Sequence, residues 1–176
     1  MPKQILQQLT VDTSPAGLYR QWMTSRLHAA FTGAKARISP KVGGRFTCHD
    51  GYIEGINLFL QPAQRIVQAW RGSDWDPGDW SIIDLHLHPL GRGRTLLTFV
   101  HTGVPDAHAS SIRQGWIDYY WTPLEAKLRE KKPGATKPAA VRSGAKQTAA
   151  KARRSRPRRD TAAREKKSRR AGSRIR

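Results

Sequence analysis

The feature that most constrains this chain is the run VPDAHASSIRQGWIDYYWTPLEAKLRE from Val104 to Glu130. Its apolar residues Ile112, Trp116, Tyr119, Tyr120, Leu124 and Leu128 recur at steps of three to four, the period of a helix with one wide buried face. Pro105 and Asp106 suit the first turn, where a missing N–H costs nothing and a carboxylate meets the positive end of the helix dipole; Lys127 and Arg129 suit the last. Pro123 removes one backbone bond and crowds the carbonyl of Tyr119, which predicts a bend between Tyr119 and Thr122. So aromatic a face needs a large partner surface. Everything before it reads mainly as strands, so the helix is expected to be cradled by a sheet.

Those strands follow from alternation and turn chemistry. Gln4 to Val11 alternates, with Ile5, Leu9 and Val11 on one side. Ser14-Pro15 opens a helix whose buried stripe is Leu18, Trp22 and Leu27, breaking near Thr24-Ser25 and continuing as a short turn through Ala30. Ala34 to Ser39 is a further strand, and Pro40 to Gly44 a loop. Arg45 to His49 and Tyr52 to Leu60 form a hairpin around Asp50-Gly51, a pair that supplies the positive φ angles of a tight turn. Arg65 to Arg71 follows, then the polar loop Gly72 to Asp79. Ser81 to Leu87 and Thr95 to Thr102 form the last pair, joined by Pro89 to Arg94. One strand, two short helices, six strands and a long helix predict an α+β domain, because a parallel sheet would need a helix between each pair of strands.

Charge divides the chain. Residues 131–176 hold 18 of the 32 Lys+Arg and two of the 13 Asp+Glu, a net +16, whereas the other 130 residues carry 14 − 11 = +3. The expected organisation is therefore a folded domain over residues 1–130 and a Lys/Arg/Ala-rich tail over 131–176, too poor in apolar residues to fold alone. Polyanions are the tail's natural partners. Lys151, Arg153, Arg154, Arg156, Arg158, Arg159, Lys166, Lys167, Arg169 and Arg170 are its candidate nucleic-acid contacts, acting through phosphates without reading sequence. Its Ala/Lys/Pro character resembles the tails of linker-histone-like proteins. There is no apolar run of about 18 residues, the length a membrane span requires, and MPKQILQQL is too short and polar for a secretory signal. Cys48 stands alone, so a reducing cytoplasm is the expected compartment, with nucleoid association if the tail binds DNA.

A set of short motifs then appears in order: GGRF at 43–46, EG at 54–55, RIVQAW at 65–70, the T-x-L-x-F-x-H pattern from Thr95 to His101, TGVP at 102–105 and GWIDYYWTPL at 115–124. Together they resemble the activator of 90-kDa heat-shock-protein ATPase homologue-like domains, within the START-like, helix-grip (SRPBCC) superfamily. The resemblance covers about residues 3–130. It implies a curved antiparallel sheet gripping a long C-terminal helix, with a cavity between them that holds a hydrophobic ligand in many relatives. It also implies a chaperone as a possible partner, although the further N-terminal domain of the full eukaryotic activators is not expected here.

Strand phase and helix period nominate the residues of such a cavity: Trp70, Ile83, Leu85, Leu97, Phe99 and His101 from the sheet, and Ile112, Trp116, Tyr119 and Tyr120 from the helix. The alternative is that these aromatic side chains fill the space completely. His101 falls on the inward phase, where it would orient a ligand or act as a base, or would be a core histidine bonded to a backbone carbonyl, Tyr119 or Tyr120. His86 and His88 share a strand face with Asp84, but that face lies opposite the leucines and offers no further well-placed ligand, so no metal is expected. Cys48 reads as a small buried hydrophobe. The loop Ser73 to Trp80, with Asp74, Asp76 and Asp79 beside Trp75 and Trp80, reads as a solvated turn, with a pocket lid or partner-docking loop as alternatives. No Gly-rich phosphate loop, G-x-S-x-G elbow, H-E-x-x-H or paired-cysteine zinc motif is present. The favoured function is accordingly a non-catalytic domain that binds a small hydrophobic ligand without a cofactor and is tethered to nucleic acid. A co-chaperone-like interaction domain and a cyclase- or hydratase-like enzyme are the alternatives.

Overall fold

Period-two burial is what assembles the sheet. In the computed structural model, which describes residues 3–130, every second residue of the central strands is buried. These are Ile66, Gln68 and Trp70 in β5 (Arg65–Gly72), Ser81, Ile83, Leu85 and Leu87 in β6 (Ser81–Gly91), and Thr95, Leu97, Phe99 and His101 in β7 (Arg94–Val104). With β1 (Lys3–Val11), β2 (Arg37–Ile38), β3 (Arg45–Cys48) and β4 (Ile53–Gln61) they form one curved antiparallel sheet of seven strands, in the order β1-β7-β6-β5-β4-β3-β2. Consecutive hairpins explain every neighbour but one. The first strand crosses to the last, pairing Leu9 with Leu97 and Ile5 with His101.

Turns fall where glycine and small polar residues allow them. The β3–β4 connection places His49, Asp50 and Gly51 at φ of 50°, 57° and 97°, three left-handed residues in succession. The β6–β7 hairpin is tighter than the predicted Pro89 to Arg94 connection. Both strands extend to it, Pro89 sits beside a register shift, and Gly91, Arg92 and Gly93 supply the positive φ angles. At β4 an irregularity between Asn57 and Phe59 faces the Gly43-Gly44 bend, and the Gly43 N–H donates to the Asn57 carbonyl at 2.7 Å. Gly55 is held by close approach: a Cβ there would overlap the Phe46 ring and the Ala69 carbonyl.

Two short helices enter the concave side. The Ser14 side chain accepts from the Gly17 N–H at 3.2 Å and starts α1 (Pro15–Met23), with Pro15 in its first turn. Thr24 is extended and breaks the helix, and α2 (Ser25–Thr32) ends at Gly33 in the left-handed conformation. The helix thus runs past Ala30, because Gly33 stops it. His28 and Phe31 are its buried residues, and Leu27 is only half-buried.

The C-terminal helix is segmented. Val104 still belongs to β7, Asp106–His108 is a 3-10 turn, and the α-helix begins only at Ala109. α3 (Ala109–Trp116) leads into a π-helical stretch, Ile117–Trp121, in which the Thr122 N–H reaches back to the Ile117 carbonyl; α4 (Thr122–Glu130) follows. Where Pro123 predicted a bend, the backbone is irregular, and the irregularity takes the form of a π segment. Its extra residue per turn changes the buried face. Trp121 is buried, whereas Tyr119, expected inside, is 61% exposed. Ile112, Trp116, Tyr120, Leu124 and Leu128 lie inside as the period required.

Candidate ligand-binding site

The residues expected to line one cavity divide into a filled core and an open pocket. Trp116 is the centre of the core. Its ring lies 4.4 Å from Phe99, 4.4 Å from Tyr120, 5.5 Å from Trp121, 5.8 Å from Trp70 and 6.2 Å from Trp22. Its indole N–H donates to His101 Nδ1 at 3.0 Å. That bond leaves the proton on Nε2, which donates to Ser81 Oγ at 2.7 Å, and the serine hydroxyl donates to the Trp70 carbonyl at 2.8 Å. Each polar side-chain atom of this Trp116–His101–Ser81 relay is matched. His101 is fully buried, and its desolvation lowers the ring's pKa from 6.5 to about 3, so it is a neutral core imidazole. Its partners are Trp116 and Ser81, not a tyrosine. Ile83, Leu85, Leu97, Phe99 and His101 therefore do not line the open pocket; the aromatic side chains above them take up that space.

The pocket lies to one side, between α3 with its π extension and the β3–β4 turn. It has a volume of about 400 Å³ and is lined by His49, Tyr52, Ile53, Trp70, Ser111, Ile112, Gly115, Trp116, Tyr119 and Tyr120. Trp70, Ile112, Trp116, Tyr119 and Tyr120 are the sequence candidates brought together here, and Tyr119 stands at the mouth. His49, Tyr52, Ile53, Ser111 and Gly115 were missed. A signal existed for two of them, since Ser111, Gly115 and Tyr119 form a stripe at four-residue steps beside Ile112, Trp116 and Tyr120. The His49 ring lies 5.0 Å from Tyr120 and 6.0 Å from Tyr119. Its Nε2 is buried without a partner among the described residues, and burial lowers its pKa.

The loop after β5 supports the same corner. Arg71 donates to the Trp75 carbonyl at 3.0 Å, pairs with Glu54 at 3.4 Å and lies over the Trp80 ring at 5.8 Å. Trp75, expected in a solvated turn, is 3% exposed, packing at 5.3 Å from Trp70 and stacking on His108 at 5.7 Å. Burial, and then the Asp74 carboxylate to which it is hydrogen-bonded, push the Tyr52 hydroxyl up to about 12. The loop is thus tied to two pocket residues, Tyr52 and Trp70, because its tryptophan buries apolar area that a solvated turn would leave exposed.

A second buried polar line runs from Trp22 Nε1 to Gln68 Oε1 at 3.2 Å, from Gln68 Nε2 to Asn57 Oδ1 at 2.7 Å, and from Asn57 Nδ2 to the Ser39 and Lys41 carbonyls. His28 donates from Nδ1 to the Trp22 carbonyl at 3.0 Å, and desolvation lowers its pKa to about 4. Cys48 is buried and its thiol is pushed up to about 12, so it is no nucleophile at neutral pH. On the outer face Arg65 grips Asp84 with two bonds, at 3.0 and 2.6 Å, while His86 takes the same carboxylate at 3.2 Å. That carboxylate is already satisfied. Among the described residues no group of three His, Cys, Asp or Glu side chains is placed to hold a metal. Nor is any helix among them long and apolar enough to cross a membrane. The candidate nucleic-acid contacts from Lys151 to Arg170 lie outside the described residues.

A curved antiparallel sheet closed over a segmented C-terminal helix, with a pocket at the helix flank, defines a START-like helix-grip domain. The model of the family described as Activator of Hsp90 ATPase homolog 1-like protein matches residues 12–129, and the chain belongs to that family. Human Activator of 90 kDa heat shock protein ATPase homolog 1 is 37% identical over 116 residues, which are 66% of this chain and 34% of that protein. The corresponding protein of Dictyostelium discoideum is 30% identical over 103 residues, 58% of this chain and 27% of that protein. The chain thus spans about a third of the length of the curated relatives it matches. Among solved structures, an HSP90 activator from Plasmodium falciparum superposes with a TM-score of 0.69 at 20% identity, covering 72% of this chain and 96% of that one.

Proposed function

We propose that residues 1–130 form a non-catalytic module that binds a small hydrophobic ligand in the pocket beside α3, and that the basic tail tethers the module to nucleic acid. The observation that carries the ligand reading is Gly115. A glycine inside a helix costs about 1 kcal/mol relative to alanine. Gly115 has no positive φ, and a Cβ built on it would meet only the Tyr119 ring edge at 3.7 Å, an ordinary contact. Neither backbone conformation nor crowding asks for glycine here. What its missing side chain does is leave the pocket open.

Filling the pocket from that position is therefore the test. Gly115→Leu should abolish binding of the uncharged fluorescent probe N-phenyl-1-naphthylamine and leave the melting temperature equal or higher. Probe binding that survives in a folded Gly115→Leu protein would place the apolar site elsewhere. Trp116→Ala is a poorer test, since it also orphans His101 and should cost about 3 to 5 kcal/mol of stability.

A second reading is favoured by the relatives, three of which are named as homologues of the activator of the 90 kDa heat shock protein ATPase. On that reading the domain docks on a chaperone of this kind, and the partner's ATPase rate is the readout. Stimulation by Gly115→Leu equal to that of the wild-type chain would show the two roles to be separate.

The tail reading rests on composition: +16 of the formal +19 lies after Glu130. Binding by counterion release follows from that charge and is indifferent to sequence.

A further inference from the structure

We infer that the pocket takes an uncharged, planar aromatic molecule bearing one hydroxyl group, and that His49 recognises the hydroxyl. This deepens, and rests on, the reading of the pocket as a ligand site.

The lining excludes charge. None of the described residues around the pocket is Lys, Arg, Asp or Glu, so an ionised ligand head would be desolvated against them without a partner. A fatty acid or other carboxylate is thereby disfavoured. Shape selects among neutral molecules. Rings dominate the walls, with His49, Tyr52, Trp70, Trp116, Tyr119 and Tyr120 all contributing. Aromatic faces and edges add offset-stacked and edge-on contacts for a planar ligand, whereas a flexible chain gains burial alone and loses more rotamer freedom.

His49 supplies the polar feature. Its Nε2 is buried with no hydrogen-bond partner among the described residues, an unsatisfied state that a hydrogen-bonding ligand group would relieve. Desolvation by burial lowers the ring's pKa, which keeps it neutral at pH 7. A hydroxyl both donates and accepts, so it satisfies Nε2 in either tautomer, which a carbonyl or an ammonium group does not. Three other polar side chains of the lining already have partners: the Ser111 hydroxyl donates to the His108 carbonyl at 2.9 Å, the Trp116 indole to His101, and the Tyr52 hydroxyl is bonded to Asp74. Of the polar side-chain atoms in the lining, His49 Nε2 is the one that the described residues bury without a partner. The backbone points the same way. His49 sits at φ 50°, followed by Asp50 at 57° and Gly51 at 97°, a conformation that costs energy at a non-glycine residue and carries the imidazole at the pocket wall.

The experiment is a titration of the full chain, at neutral pH, with 2-naphthol, naphthalene, 2-naphthoate and 1-dodecanol, followed by tryptophan fluorescence and calorimetry. 2-Naphthol should bind about tenfold more tightly than naphthalene, the gain of one satisfied hydrogen bond, and 2-naphthoate and 1-dodecanol more weakly than 2-naphthol. His49→Phe should erase the preference for 2-naphthol over naphthalene while leaving naphthalene binding in place; His49→Gln, which keeps a polar terminus, should retain part of it. Equal or tighter binding of 2-naphthoate or 1-dodecanol by the wild-type chain overturns the assignment without any variant having to fold. So does a 2-naphthol preference that survives in His49→Phe. Naphthalene binding with no preference among the four leaves the pocket a ligand site and removes only this inference, whereas failure of all four removes the ligand reading as well.

Discussion

At the scale of single residues, the two most deeply buried imidazoles make the domain acid-sensitive. His101 and His28 are neutral in the folded chain, with pKa values lowered from 6.5 to about 3 and about 4 by desolvation. In the unfolded chain both bind protons below about 6.5. Between those limits the unfolded state holds more protons, so stability rises with pH and is lost as pH falls from about 6.5 toward 4. Well inside that window each ring contributes a slope of about 1.4 kcal/mol per pH unit. Chemical denaturation between pH 8 and 4.5 should show a plateau above pH 7 and a steep decline below 6, about half of it removed in His101→Gln. A flat profile would mean that the rings are charged in the fold. The sequence placed His101 inside by alternation alone. It did not reveal its partners, because Ser81 and Trp116 reach it only through the β6–β7 register and the seating of α3, neither of which is a local property.

At the scale of elements, the C-terminal helix shows where sequence reading works and where it fails. Ile112, Trp116, Tyr120, Leu124 and Leu128 follow the helical period and are buried as expected, and Pro123 marks the region of the irregularity. Its form was not legible. A π turn takes one residue more than an α turn, so the residue stacked over Trp116 is Trp121, at 5.5 Å, and Tyr119 is displaced to the pocket mouth. The two aromatic residues should therefore behave oppositely on truncation. Trp121→Ala should destabilise by about 3 to 5 kcal/mol, losing also the bond from its indole to Gln7 Oε1 at 2.6 Å. Tyr119→Ala should change stability by less than about 1 kcal/mol while weakening N-phenyl-1-naphthylamine binding. Equal stability losses in urea denaturation would contradict the π register. The pocket itself was half legible. Its helix wall follows from the 3.6 period, but its opposite wall hangs on the left-handed His49 turn, where the Asp50-Gly51 pair signalled a hairpin and said nothing of the side chain before it. The loop at Trp75 was misread for a related reason, since polar spacing hides a tryptophan that anchors it.

At the scale of the whole molecule, the chain couples a nearly balanced domain to a strongly basic segment. If that segment contacts several phosphates, the intact chain should bind duplex DNA of any sequence, and a chain ending at Glu130 should not. Raising salt from about 50 to 200 mM should weaken binding by orders of magnitude. Binding retained by the shortened chain, or insensitive to salt, would place the contact on the folded surface. The central claim, however, is the pocket, and heteronuclear NMR tests it most directly. Titrating N-phenyl-1-naphthylamine into isotope-labelled protein should give saturating, one-to-one shifts centred on Ile53, Trp70, Ile112, Gly115 and Trp116, and none of these in Gly115→Leu. Shifts that fail to saturate, or that centre on the exposed Leu58 and Phe59 of the far hairpin, would contradict it.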